Sequence, residues 1–167
     1  MKQIRIAAAF LLILSVLAGC SLQKHSGNNV AFHYSRAEFA YGAEDAVMVS
    51  EQRDIAGHEG DLKYILSLYL MGPLDEELTA IFPITTRLVG IKQEDTSLSV
   101  HLTPIAKSLS EGEFSLACSC LAMTCIELTD CTCVTVVCGE RSVTLSASDL
   151  LLSDNPIPTE TQPEETQ

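Results

Sequence analysis

The feature that most limits what this chain can become lies at its start. Residues 6–18 form a thirteen-residue apolar run behind Lys2 and Arg5, and the run closes on Leu17-Ala18-Gly19-Cys20. A helix needs ~20 apolar residues to cross a bilayer, so this run is short for a span and fits the apolar region of a secretion signal. Whatever folds is therefore expected to be built from the residues after the cut, outside the cytoplasm.

Small residues before the cut let an extended backbone enter a peptidase cleft, and the thiol that follows is a nucleophile. The motif resembles the bacterial lipobox. That resemblance implies a signal peptide over 1–19, a diacylglyceryl thioether on Cys20, and residence on the outer face of the cell membrane. Each buried methylene contributes ~0.8 kcal/mol, and two acyl chains hold a protein where one does not. The polar segment Ser21 to Asn29 reaches at most ~30 Å when extended, so the domain is expected to sit close to the membrane.

Only two of the ten basic residues precede Cys20, and all 22 acidic residues follow it. The exported part is thus strongly acidic, which argues against nucleic-acid partners and against docking on anionic lipid. With no Trp and 5% aromatics, an aromatic-lined sugar groove is not expected either. At the far end, residues 153–167 hold three prolines, four acids and one large apolar residue, Ile157. Such a segment buries too little to offset its ordering entropy and reads as a disordered tail.

Between 30 and 152 the pattern alternates helix and strand. Val30 to Ser35 and Ala46 to Arg53 read as strands. Leu62, Ile65, Leu66, Tyr69 and Leu70 fall on one helical face, and Gly72-Pro73 stops that helix. Asp75, Glu76 and Glu77 read as a solvated loop. Thr86 to Lys92 and Ser97 to Thr103 read as a hairpin around a polar turn. Ser110 to Leu128 reads as a second helix with Phe114, Ala117, Cys118, Leu121, Cys125 and Leu128 as its apolar stripe. Strands over Cys131 to Cys138 and Ser142 to Leu145 close the domain. The expected class is α+β: a two-layer sandwich of two helices on a small, mainly antiparallel sheet.

The order of Tyr69-Leu70-Met71-Gly72-Pro73, Phe82-Pro83-Ile84-Thr85-Thr86-Arg87-Leu88, Leu98-Ser99-Val100-His101-Leu102-Thr103 and Val134-Thr135-Val136-Val137-Cys138-Gly139-Glu140 resembles the GerMN domain family. These domains occur in sporulation and spore-germination proteins and in many bacterial lipoproteins. The resemblance implies a fold akin to ring-building modules and a non-enzymatic assembly role with another envelope protein. It names no cofactor. The chain has room for one such domain, and Cys138 stands where the family often has an acid. Physics assigns structural duties to the motif residues: Gly72 permits a sharp exit and Pro73 stops the helix. Pro83 presets an extended lead-in to the hairpin, and Gly139 tolerates positive φ at a tight turn.

Six cysteines, at 118, 120, 125, 131, 133 and 138, crowd into this last third. Helical spacing puts Cys118 and Cys125 on the apolar face and turns Cys120 toward Thr124, Glu127 and solvent. The plainest reading is small core residues, since free cysteine is among the most buried types. Disulfides are the second reading, with a pair such as Cys125 and Cys133 geometrically open. A thiol-dependent metal or redox site at Cys118, Cys125, Cys131 and Cys133 is the third. No pair has C-x-x-C spacing, so no metal is expected. His25, His33, His58 and His101 are scattered, G-x-S-x-G and phosphate-cradling loops are absent from the sequence, and no catalytic residue is assigned.

Overall fold

The computed structural model describes residues 28–38, 47–104 and 109–150. The signal segment, Cys20 and the acidic tail lie outside the described residues. Seven strands and three helices follow in order: β1 (Asn29–Arg36), β2 (Met48–Asp54), α1 (Leu62–Tyr69), β3 (Leu78–Thr79), β4 (Leu88–Glu94), β5 (Ser97–Leu102), α2 (Glu111–Leu128), β6 (Cys133–Cys138), β7 (Arg141–Ser146) and α3 (Ala147–Leu150). The class is α+β, as the alternating pattern predicts.

The strands divide into two sheets where the sequence led us to expect one. One has the order β2-β1-β3 and the other β4-β5-β6-β7. All pairings are antiparallel except β5 with β6, which run parallel in register from Ser97 opposite Cys133 to Leu102 opposite Cys138. Parallel neighbours need a long crossover, and α2 provides it. Two short elements had no sequence signal: β3 pairs only Ser35 and Arg36 of β1, and α3 is a single turn.

Local chemistry accounts for the helix ends. Asp61 caps α1, its carboxylate accepting the Tyr64 N–H at 3.0 Å. Ser110 and Glu113 form a reciprocal capping box at the start of α2. Beside it, the Arg141 guanidinium lies 3.8 Å over the Phe114 ring and donates to the Leu109 carbonyl at 3.2 Å. That contact ties β7 to the first turn of α2.

α2 packs against β1 on one side and against β6 and β7 on the other. It is therefore apolar almost all round. The expected single stripe is a correction: Cys120 is only 2% exposed and Thr124 is fully buried, both on the side turned toward β1, while Glu127 alone of that trio reaches solvent. The sequence pattern assumed one buried face because charged residues are confined to the helix ends and a polar face was inferred from Thr and Ser.

β1 is buried along Phe32, His33, Tyr34 and Ser35. β3 is too short to pair its whole free edge. At His33 the backbone N–H is instead satisfied by Thr124 Oγ1 of α2 at 2.9 Å, and that hydroxyl donates to the Cys120 carbonyl at 3.0 Å. The His33 ring lies 3.0 Å from Glu127 through Nε2, within ion-pairing distance but not aligned as a hydrogen bond.

Tyr34 and Tyr69 stack at 4.9 Å and exchange hydrogen bonds with the opposing backbone. Tyr34 donates to the Tyr69 carbonyl at 2.8 Å, and Tyr69 donates to the His33 carbonyl at 3.1 Å. Burial pushes both phenols above their ordinary range, so both remain neutral donors.

Replacing Thr124 with Val keeps the shape and deletes the acceptor. The orphaned His33 N–H should cost about 1–3 kcal/mol of unfolding free energy. Urea denaturation of the T124V protein measures it, and an unchanged midpoint would remove the bond from the account.

Candidate interaction surface

Exposed large apolar side chains gather where α1 ends and where the chain approaches β4. Met71 is 74% exposed, Leu74 77%, Ile84 78% and Val89 62%. Between α1 and the segment leading into β4 lies an open groove of about 480 Å³, lined by Ser67, Leu70, Met71, Ile84, Thr86, Arg87 and Leu88. That volume lies within the range of ligand and peptide clefts. Singly exposed apolar residues are ordinary; of these four, Met71 and Ile84 line the groove, and that pairing makes it the candidate contact site.

The sequence motif residues build this surface. Gly72 has φ +96°, a left-handed conformation that lets the chain leave α1 abruptly, and Pro73 follows. A buried ion pair then holds the exit. Arg53 of β2 bonds Glu51, donates to the Gly72 carbonyl at 2.6 Å, and lies 5.8 Å from the Phe32 ring centroid. The second carboxylate oxygen of Glu51 accepts the Leu74 and Asp75 N–H groups at 2.8 and 2.9 Å. Met71 and Leu74 are thus fixed outward by β2. Pro83 opens a turn in which its carbonyl accepts the Thr86 N–H at 2.8 Å, and the strand begins only at Leu88. The turn thrusts Ile84 into solvent. Gly139 sits away from the groove, with φ +64° in the β6–β7 turn, where a Cβ would meet Pro104 at 3.2 Å.

Two polar groups of the groove lack ordinary partners. Arg87 is exposed and donates only to carbonyls, those of Ile84 at 2.5 Å and Thr86 at 2.8 Å. Among the described residues no carboxylate pairs with it. The Thr86 hydroxyl is buried without a hydrogen-bond partner, which is costly unless something supplies one.

Sequence reasoning read Gly72, Pro73 and Pro83 as structural motif residues, 75–77 as a solvated loop and a strand from Thr86, and assigned no surface here; the strand starts at Leu88. The available signal was the placing of Met71, Leu74 and Ile84 within Gly- and Pro-marked turns, where large apolar residues have no core to enter.

The cysteines occupy other ground. Cys118, Cys120, Cys125, Cys131 and Cys138 are buried, Cys133 is half-buried, and all six are unbridged. Cys125 has Cys131, not Cys133, as its thiol neighbour. The Cys131 Sγ lies 3.9 Å from the Cys125 carbonyl and 2.8 Å from Thr129 Oγ1, because β6 starts two residues later than the sequence pattern predicts. Cys118 lies on the same helix face two turns away, near Cys138 and Arg141. The four metal candidates are therefore split between separate neighbourhoods, and among the described residues no three His, Cys, Asp or Glu side chains converge as a metal site requires. Burial pushes the Cys118 and Cys120 thiols up to about 12 and Cys138 to about 11, and raises Cys125 further. Thiols in that range are poor nucleophiles and poor ligands.

No family model and no curated protein matches this chain. Among solved structures it is similar to a candidate lipoprotein from Clostridium perfringens, with 13% identity and a TM-score of 0.46, over 77% of this chain and 93% of that one. It is also similar to the tandem GerMN domains of the sporulation protein GerM from Bacillus subtilis, with 16% identity and a TM-score of 0.47, over 73% of this chain and 43% of that one. Among the described residues no helix is long and apolar enough to cross a membrane.

Two measurements probe this geometry. Burial alone would raise the Glu51 carboxyl, but hydrogen bonds from Arg53, Asp75 and Leu74 outweigh it and hold it below the usual range. Its stabilisation is full above the ordinary carboxylate value and is lost as pH falls through the depressed folded value. The stability gap between wild type and Glu51→Gln should therefore be widest near about pH 6 and shrink toward about pH 3 in urea titrations. In thiol labelling of the folded protein, Cys133 should react first, with the five buried thiols following only in denaturant. Equal rates for all six would contradict the burial described.

Proposed function

We propose that this protein is a non-enzymatic, lipid-anchored module on the extracytoplasmic face of the cell membrane. It holds another envelope protein in the groove between α1 and the 83–88 turn. The observation that carries this reading is the groove itself: the exposed Met71 and Ile84 beside Leu70 and Leu88, around an exposed guanidinium that has no carboxylate partner among the described residues. The anchor rests on the Leu17-Ala18-Gly19-Cys20 motif. The GerMN-like sequence order favours sporulation or germination machinery as the setting.

Magnitudes fit a modest contact. Covering a Met, Leu or Ile side chain contributes about 1.5–3 kcal/mol each. A micromolar complex needs about 8 kcal/mol after the cost of association is met. The two exposed side chains that line the groove, Met71 and Ile84, fall short of that range even with Arg87 beside them. A tether that keeps both partners at one membrane would supply the rest as local concentration.

A photo-crosslinking residue at position 84 in intact cells should trap one discrete protein, and the same residue at position 94 should not. Met71→Glu should lower the yield at least about tenfold, the effect of 1.4 kcal/mol. Equal capture from both positions would end the groove reading. Separately, Cys20→Ser should abolish acyl labelling and the mature band; unchanged maturation would end the anchor reading and leave the groove untouched.

A further inference from the structure

We propose that the groove is occupied in the resting protein by the chain's own acidic tail, residues 153–167. This rests on the reading of the groove as a docking site, and it names the first occupant of that site.

Charge is the first argument. The chain has ten basic and 22 acidic residues, yet Arg87 stands exposed in the groove with carbonyls for partners and no carboxylate. The tail carries Asp154, Glu160, Glu164 and Glu165. A carboxylate on an exposed guanidinium forms the stronger, charge-assisted class of hydrogen bond.

Composition is the second argument. Ile157 lies between Pro156 and Pro158, the one large apolar side chain of the tail, and the groove is walled by Leu70, Met71, Ile84 and Leu88. Prolines fix φ before binding, which lowers the entropy lost on docking.

Reach decides that the contact is made within one molecule. The described chain ends at Leu150, in α3 beside β7 and α2, and β7 and β4 are opposite edges of one four-stranded sheet. Strands lie ~4.8 Å apart, so the two edges are ~15 Å apart. Ten residues of tail extend to ~33 Å. The effective concentration of a short tethered segment is millimolar, far above that of a second copy at ordinary protein concentrations.

Methyl NMR on the chain from residue 21 onward, with and without residues 153–167, tests this. Removing the tail should shift the Met71 and Ile84 methyl signals. Adding a synthetic 153–167 peptide should return them, half-saturating near about 1 mM. Arg87→Glu should give the truncated-like spectrum in the full chain. Changing Glu160, Glu164 and Glu165 to Lys on that background should restore docking. Identical spectra with and without the tail would overturn the proposal, as would shifts that appear only as protein concentration rises, which would assign the contact to a second copy. Crosslinking from position 84 to an envelope protein would survive either failure, so loss of the tail contact and loss of the docking reading are separately visible.

Discussion

The architecture depends on α2 being enclosed from two sides. A helix that serves both β1 and the β6–β7 hairpin keeps only a narrow, partly exposed strip along its middle turns, at Ser115, Ser119, Met123 and Ile126. It must also let two sheets approach closely, which favours small side chains. Ala117, Cys118, Cys120, Ala122, Thr124 and Cys125 meet both demands, and larger Phe114 and Leu121 fill the space that remains. The cysteine richness of this chain is thus a packing solution. Thiols are small, apolar and poorly hydrated, and removal from water raises their pKa further and keeps them neutral.

From that enclosure the outer surface follows. α2 fixes β1 through Thr124, β1 fixes α1 through the Tyr34–Tyr69 exchange, and β2 fixes the exit of α1 through Arg53 and Glu51. Each step uses a satisfied polar group inside an apolar core, so the exposed Met71, Leu74 and Ile84 are held in place by the interior. A surface held this way would lose little entropy on binding a partner, because its backbone is already ordered.

Much of this could be read from residue order. The helix at 62–69 was legible from its apolar face and its Gly-Pro stop, and the 88–102 hairpin from two β-rich runs around Gln93–Thr96. The second helix was legible in extent, with its cap at Ser110, but not in surroundings. Periodicity reports a stripe against a polar face and has no signature for Thr124, whose hydroxyl serves a strand 91 residues away. The split into two sheets and the parallel β5–β6 pair were illegible for the same reason: pairing across α2 leaves no local mark. The groove escaped because turn chemistry explained Gly72, Pro73 and Pro83 fully and left no residue over to question.

The Thr124–His33 bond has a temporal consequence. The first strand cannot be completed until the penultimate helix has arrived, so native structure must wait for almost the whole domain. A chain that crosses a membrane before folding would spend that interval with six accessible thiols. Once α2 is packed against both β1 and the β6–β7 hairpin, five of them are buried, and speed of closure becomes what keeps them reduced.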